Sequence, residues 1–249
     1  MTLINRFLLP RKMAAIFLMA VSMSILPAAA HSYLIPIEQL LGFMVKKIHR
    51  SRPTVITRSV HNIDPVNREI QTVFEERIRF DTPNLYYFET TSTPTGDTSY
   101  DFANNNRDKD LLFYMLFFAR NANEATRFLS GLCINPKTET FTRLDKTIVY
   151  RIGGTEKDAP YLMIDKDKFL PLQICYYNDP DRDEMVVVRF SDYKKIGKRW
   201  FPLEITYRKG SSIVRRYIHT EIKPGKRTTV GCPFMKLPEP PCKKTAVYP

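Results

Sequence analysis

Between residues 35 and 50, apolar side chains recur at helical spacing. Ile37, Leu40, Leu41, Met44, Val45 and Ile48 form one stripe, with Glu38, Lys46 and Lys47 on the other face. Pro36 suits a first helical turn. From Arg68 to Phe80 the period drops to two. Ile70, Phe74, Ile78 and Phe80 share one face, and Gln71, Glu75, Arg77 and Arg79 the other, which predicts a strand wet on one side. Tyr86, Phe88 and Thr90 continue that pattern after a Pro83-Asn84 turn signal. Residues 92–108 are polar and rich in Gly, Asn and Asp. They read as loop, with room for one strand near Tyr100–Phe102.

The β pattern then breaks. Residues 111–119 (LLFYMLFFA) are apolar on every side, and Asp108 is placed to cap a helix there. A helix without a polar face is shielded from water on all sides. It is either an ordinary core helix or a lid with one face on an apolar cavity, and composition does not choose between them. Asn121 and Glu124 resemble a capping box opening a second helix, striped by Ala122, Ala125, Phe128, Leu129 and Leu132. Strands follow in close succession at Phe141–Ile152, Tyr161–Asp165, Leu172–Tyr177, Met185–Ser191, Arg199–Lys209 and Ser212–Ile222, separated by Gly, Asp and Asn turns. With no helices between them, they predict an antiparallel meander.

The ends have a different character. Arg6, Arg11 and Lys12, an apolar run at 13–26 and Ala28-Ala29-Ala30 read as a signal peptide over 1–30, cleaved before His31. One domain is expected over 31–223, followed by a Pro-rich tail over 224–249. Three of the +12 formal charges belong to the signal. The rest favour anionic membrane surfaces or acidic partners, and export excludes nucleic acid. Outside the cytoplasm, four cysteines suggest disulfides. Cys232 and Cys242 flank a short Pro-rich stretch and are the favoured pair. Cys133 and Cys175 would pair by elimination, or serve as small buried apolar residues.

Catalytic and metal motifs do not assemble. The four histidines show no ligand spacing, Ser191–Lys194 matches Ser-x-x-Lys only at a strand end, and Asp179, Asp181 and Asp183 lack the Gly and Glu of a calcium loop. No catalytic residue, cofactor or metal is therefore expected. Lys194, Lys195, Lys198 and Arg199 crowd one hairpin. They form a solvated turn or a docking site for an acidic partner or lipid headgroups.

Two stretches carry a family likeness: Tyr161-Leu-Met-Ile-Asp165 with Phe169-Leu-Pro171-Leu, and Arg189-Phe-Ser-Asp-Tyr193 with Gly197-Lys-Arg-Trp200-Phe-Pro202. An apolar strand ends in Asp, a Leu-Pro pair opens the next, and a Gly turn leads to Trp-x-Pro. This resembles the outer-membrane lipoprotein-sorting, LolA/LolB-like superfamily. The resemblance implies a mainly β, α+β fold: an incomplete antiparallel β-barrel closed by helices over an apolar cavity. It further implies a periplasmic, non-catalytic carrier of lipid or lipoprotein acyl chains, or a sensor that binds a membrane-protein partner. In that arrangement the cavity would be lined by Phe74, Tyr86, Phe88, Phe113, Tyr114, Phe117, Phe118, Leu162, Ile164, Leu172, Ile174, Val188 and Phe190.

Overall fold

Strand pairing in the computed structural model follows the meander that the sequence pattern predicts. The structure describes residues 34–48, 53–82, 85–92, 112–179 and 184–224; of these, the side chains of 53–54, 80–92, 178–179, 184 and 224 are not described. The expected signal peptide, the 93–108 loop, most of the Pro-rich tail, Cys232, Cys242 and the side chains of Tyr86 and Phe88 lie outside this description. The chain divides into two compact units, Met1–Ile35 and Pro36–Pro249, and the fold below is that of the second.

Helix α1 spans Ile37–Ile48. Its first turn closes on Pro36, whose carbonyl accepts from Leu40 N at 2.9 Å. Leu40, Leu41, Met44, Val45 and Ile48 are buried, as the stripe requires. Strands β1 (Pro53–Ile63), β2 (Ile70–Thr82) and β3 (Leu85–Ser92) come next. Helices α2 (Tyr114–Phe118) and α3 (Ala122–Gly131) follow. The chain then makes β4 (Glu139–Leu144), β5 (Thr147–Gly153), β6 (Tyr161–Asp165), β7 (Pro171–Asp179), β8 (Glu184–Ile196), β9 (Arg199–Lys209) and β10 (Ser212–Pro224).

All ten strands belong to one sheet of order β3-β2-β1-β10-β9-β8-β7-β6-β5-β4. Every described pairing is antiparallel. The β1–β10 ladder joins the two meanders, and β3 and β4 end the sheet, which is not closed. Along β8, Val186, Val188 and Phe190 are buried while their neighbours are half-exposed. Leu162, Ile164, Ile174, Ile205 and Tyr217 are likewise buried.

Three local features differ from the sequence expectation. Phe141–Ile152 is two strands, because Asp145 turns the chain at φ +52°, a conformation Asp tolerates better than most residues. The Phe-rich helix is a single turn over Tyr114–Phe118, too short to hold itself and so dependent on packing. Strand β1 had no place in the pattern, because Arg58 sits between Ile56 and Val60 on its buried face. At α3, Asn121 Oδ1 accepts from Glu124 N at 2.9 Å as a cap should. Glu124 itself bonds Arg120, N at 2.8 Å and Nε at 2.6 Å, rather than Asn121.

The expected Cys133–Cys175 pair does not form. Cys175 is a free, buried thiol, the small apolar residue of the alternative reading. Cys133 is disulfide-bonded.

Candidate functional site: a roofed sheet and its side cavity

The aromatic helix is packed down on the sheet. Phe113 meets Phe190 and Tyr217, with ring centroids at 6.1 and 6.0 Å. Phe117 meets Phe190 at 5.3 Å and Phe201 at 5.2 Å. Tyr114 stacks on Phe201 at 6.4 Å with planes 11° apart. Phe113, Tyr114 and Phe117 are at most 1% exposed. The rings of this helix fill the space between it and the sheet.

Beneath that roof lies a buried polar cluster that sequence reasoning passed over. Arg58 of β1 donates to Glu76 Oε2 of β2 from Nε at 3.0 Å and from Nη2 at 2.7 Å. The two residues are cross-strand partners. Arg58 Nη1 donates to the Tyr114 hydroxyl at 3.2 Å. That hydroxyl lies 2.5 Å from His219 Nε2 of β10, and His219 Nδ1 lies 2.8 Å from the Pro202 carbonyl of β9. A carbonyl only accepts, so Nδ1 carries the proton and Nε2 accepts from Tyr114. The chain of donors then runs in one direction from Arg58 through Tyr114 to His219 and ends on the backbone of β9. The Arg58 guanidinium also sits 4.0 Å from the Tyr217 ring centroid.

The electrostatics match this order. Burial pushes His219 down to about 3, and the Arg58 charge acts in the same direction. Burial would lower Arg58, but Tyr114, Glu76 and Tyr217 around it hold its pKa above the ordinary value. Burial raises Tyr114. The cluster therefore holds a fixed ion pair beside a neutral phenol and a neutral imidazole, and it ties α2 to β1, β2, β9 and β10 at once. A signal for half of it was present: Glu76 lies in phase with Phe74 and Ile78 on the buried face of β2.

A half-open cavity of about 550 Å³ lies to one side. Its apolar wall is Leu144, Leu170, Leu172, Phe190 and Trp200. Lys47, Lys168 and Arg189 supply its cations, and Asp145, Asp165, Asp167 and Asp192 its carboxylates. Arg189 pairs with Asp145. Asp165 Oδ1 accepts from the backbone N of Asp167 at 2.9 Å and of Lys168 at 2.7 Å. Asp192 stands at φ +49° in the middle of β8, and Tyr193 donates its hydroxyl to the Pro171 carbonyl.

Of the residues expected to line an apolar cavity, Leu172 and Phe190 reach this one. Phe74, Phe113, Tyr114, Phe117, Phe118, Leu162, Ile164, Ile174 and Val188 are buried in the core. At the β8–β9 turn, Lys194, Lys195 and Lys198 are exposed and Arg199 is half-buried, so the expected docking residues do share one tip.

Comparison with solved structures finds a chain of similar fold. A LolA superfamily protein from Nitrosomonas europaea superposes with a TM-score of 0.51 at 10% identity, over 78% of this chain and 96% of that one. A DUF1329 family protein from Desulfovibrio piger gives 0.41 at 14% identity, over 77% and 94%. A domain described as an outer membrane lipoprotein-sorting protein, from Vibrio parahaemolyticus, gives 0.36 at 12%, over 78% and 95%. No family model and no curated protein matches the sequence. The fold is thus LolA-like.

Proposed function

We propose that this chain is an exported, non-catalytic carrier or binder of lipid or lipoprotein acyl chains, working in the bacterial periplasm. The observation that carries the reading is the aromatic roof. A one-turn helix and the Phe113 that precedes it place three rings on the sheet of a LolA-like fold, and a polar latch at Tyr114 helps hold them there. Such a roof can be exchanged for another apolar occupant. Removing three buried aromatic rings costs up to ~9 kcal/mol at ~1.5–3 kcal/mol each. A sixteen-carbon acyl chain gains roughly 12 kcal/mol when buried at ~0.8 kcal/mol per CH₂. The cost of lifting the rings offsets much of that gain, which suits a protein that must bind its cargo and also release it. The Arg58–Glu76–Tyr114–His219 cluster then sets how readily the roof lifts. Being sealed beneath aromatic rings and charge-neutral overall, it has a holding role and no substrate to act on.

Mass spectrometry of lipids extracted from protein purified under mild conditions tests the reading. Stoichiometric acyl lipid supports it; a protein that neither carries lipid nor takes up a fatty acid overturns it. A sensor of a membrane-protein partner is the second reading, favoured by the exposed Lys194, Lys195 and Lys198 tip. Changing all three to Glu would abolish partner capture while leaving lipid content intact; loss of lipid without loss of capture would speak against it.

A further inference from the structure

We propose that the side cavity is a headgroup site for a zwitterionic amphiphile bearing a phosphate and an ammonium, with its tail directed toward the roofed face. The proposal rests on the acyl-binding reading and names the class of ligand for it. Three observations combine. The cavity, about 550 Å³ and half-open, is of the size that small-ligand sites commonly have. Its charges sort into used and unused groups. Asp145 and Arg189 neutralise each other, and Asp165 is spent on backbone N–H groups. Lys47, Lys168, Asp167 and Asp192 are exposed at the rim, and no ion pair among the described residues engages them. Two free cations and two free carboxylates around one opening complement a group that carries both signs; a purely anionic or purely cationic head would meet two like charges.

The third observation gives the tail its direction. Phe190 lines the cavity, and its ring packs on Phe113 and Phe117 of the roof. One residue is therefore common to the polar vestibule and the apolar tract. A ligand whose head rests at the rim meets Leu170, Leu172 and Phe190 with its first methylenes, and reaches the roof by turning one ring aside.

Trp200 is the chain's only tryptophan and lines this cavity, so its emission reports occupancy directly. The experiment titrates the full chain with lysophosphatidylethanolamine, free glycerophosphoethanolamine and palmitate below their aggregation thresholds. The lysolipid should shift Trp200 emission and bind more tightly than palmitate. The free headgroup should bind weakly or not at all. Loss of two exposed charge contacts weakens binding roughly fivefold to tenfold. Asp167→Asn with Asp192→Asn should impose that loss on the lysolipid but not on palmitate, which has no ammonium, whereas Lys47→Gln with Lys168→Gln should weaken both, since both heads are anionic there. Both pairs are exposed rim residues, and an unaltered melting curve shows that each variant is folded. If the lysolipid shows no advantage over palmitate, or both variants leave it unaffected, the headgroup site is overturned while acyl binding stands. If the free headgroup binds as tightly as the lysolipid, the site serves a soluble zwitterion and the link to the roof fails. If palmitate and lysolipid both fail to bind, the acyl reading falls together with the headgroup site.

Discussion

Burial decides the chemistry of single residues in this protein. Cys175, 1% exposed, has its thiol pushed up to about 12, mainly by desolvation. Thiolate is the reactive form, so the native protein should leave Cys175 unlabelled by iodoacetamide at pH 8 and react there only after unfolding; prompt native labelling, read by peptide mapping, would contradict this. His219 gives a sign that can be tested. Its folded pKa lies near 3, below the usual 6.5. Above pH 6.5 it is neutral whether folded or not. Below that, the unfolded chain takes up a proton that the native chain refuses, so stability falls as pH drops from about 6.5 toward 3. The slope approaches about 1.4 kcal/mol per pH unit. Denaturant midpoints measured between pH 6.5 and 4.5 should decline for the native sequence and flatten for His219→Gln; equal slopes would remove His219 as the cause.

At the scale of elements, the weak part is α2. Five residues cannot sustain a helix by backbone bonding alone, so its place is set by ring packing and by the Tyr114 hydroxyl. Tyr114→Phe keeps the rings but leaves Arg58 Nη1 and His219 Nε2 without their described partner. It should cost about 1–3 kcal/mol in urea denaturation and should raise fatty-acid affinity, because a looser roof is easier to lift. A stable variant with unchanged affinity would show that the latch does not gate binding. How far these elements could be read from sequence follows the same physics. α1, β6, β7 and the β9–β10 hairpin carry clean periodicity and lie where the pattern put them. β1 was hidden because Arg58 breaks its apolar alternation, and the break is the buried ion pair with Glu76. Glu76 carried the same message on β2, but a lone in-phase carboxylate has no meaning until β1 is placed beside it. The side cavity was illegible for a related reason: it gathers residues from α1, the β4–β5 hairpin, the β6–β7 turn and β8–β9, which only the folded register brings together.

At the scale of the molecule, two meanders join through β1 and β10 into one open sheet, and the helices between β3 and β4 return to cover it. That topology makes the roof a separate piece of chain from the surface it covers, so the roof can move without breaking a strand ladder. None of the helices among the described residues is long and apolar enough to cross a membrane. Within the proposed function, cargo would be exchanged at a membrane surface, to which the exposed Lys194, Lys195 and Lys198 would be drawn. In the proposed function the roof lifts to admit an acyl chain. Hydrogen exchange over residues 112–119, followed with and without saturating palmitate, measures this directly. The backbone amides there should lose protection when the fatty acid is bound, while those of β8 and β9 keep or gain it. Bound palmitate with unchanged protection across 112–119 would contradict it.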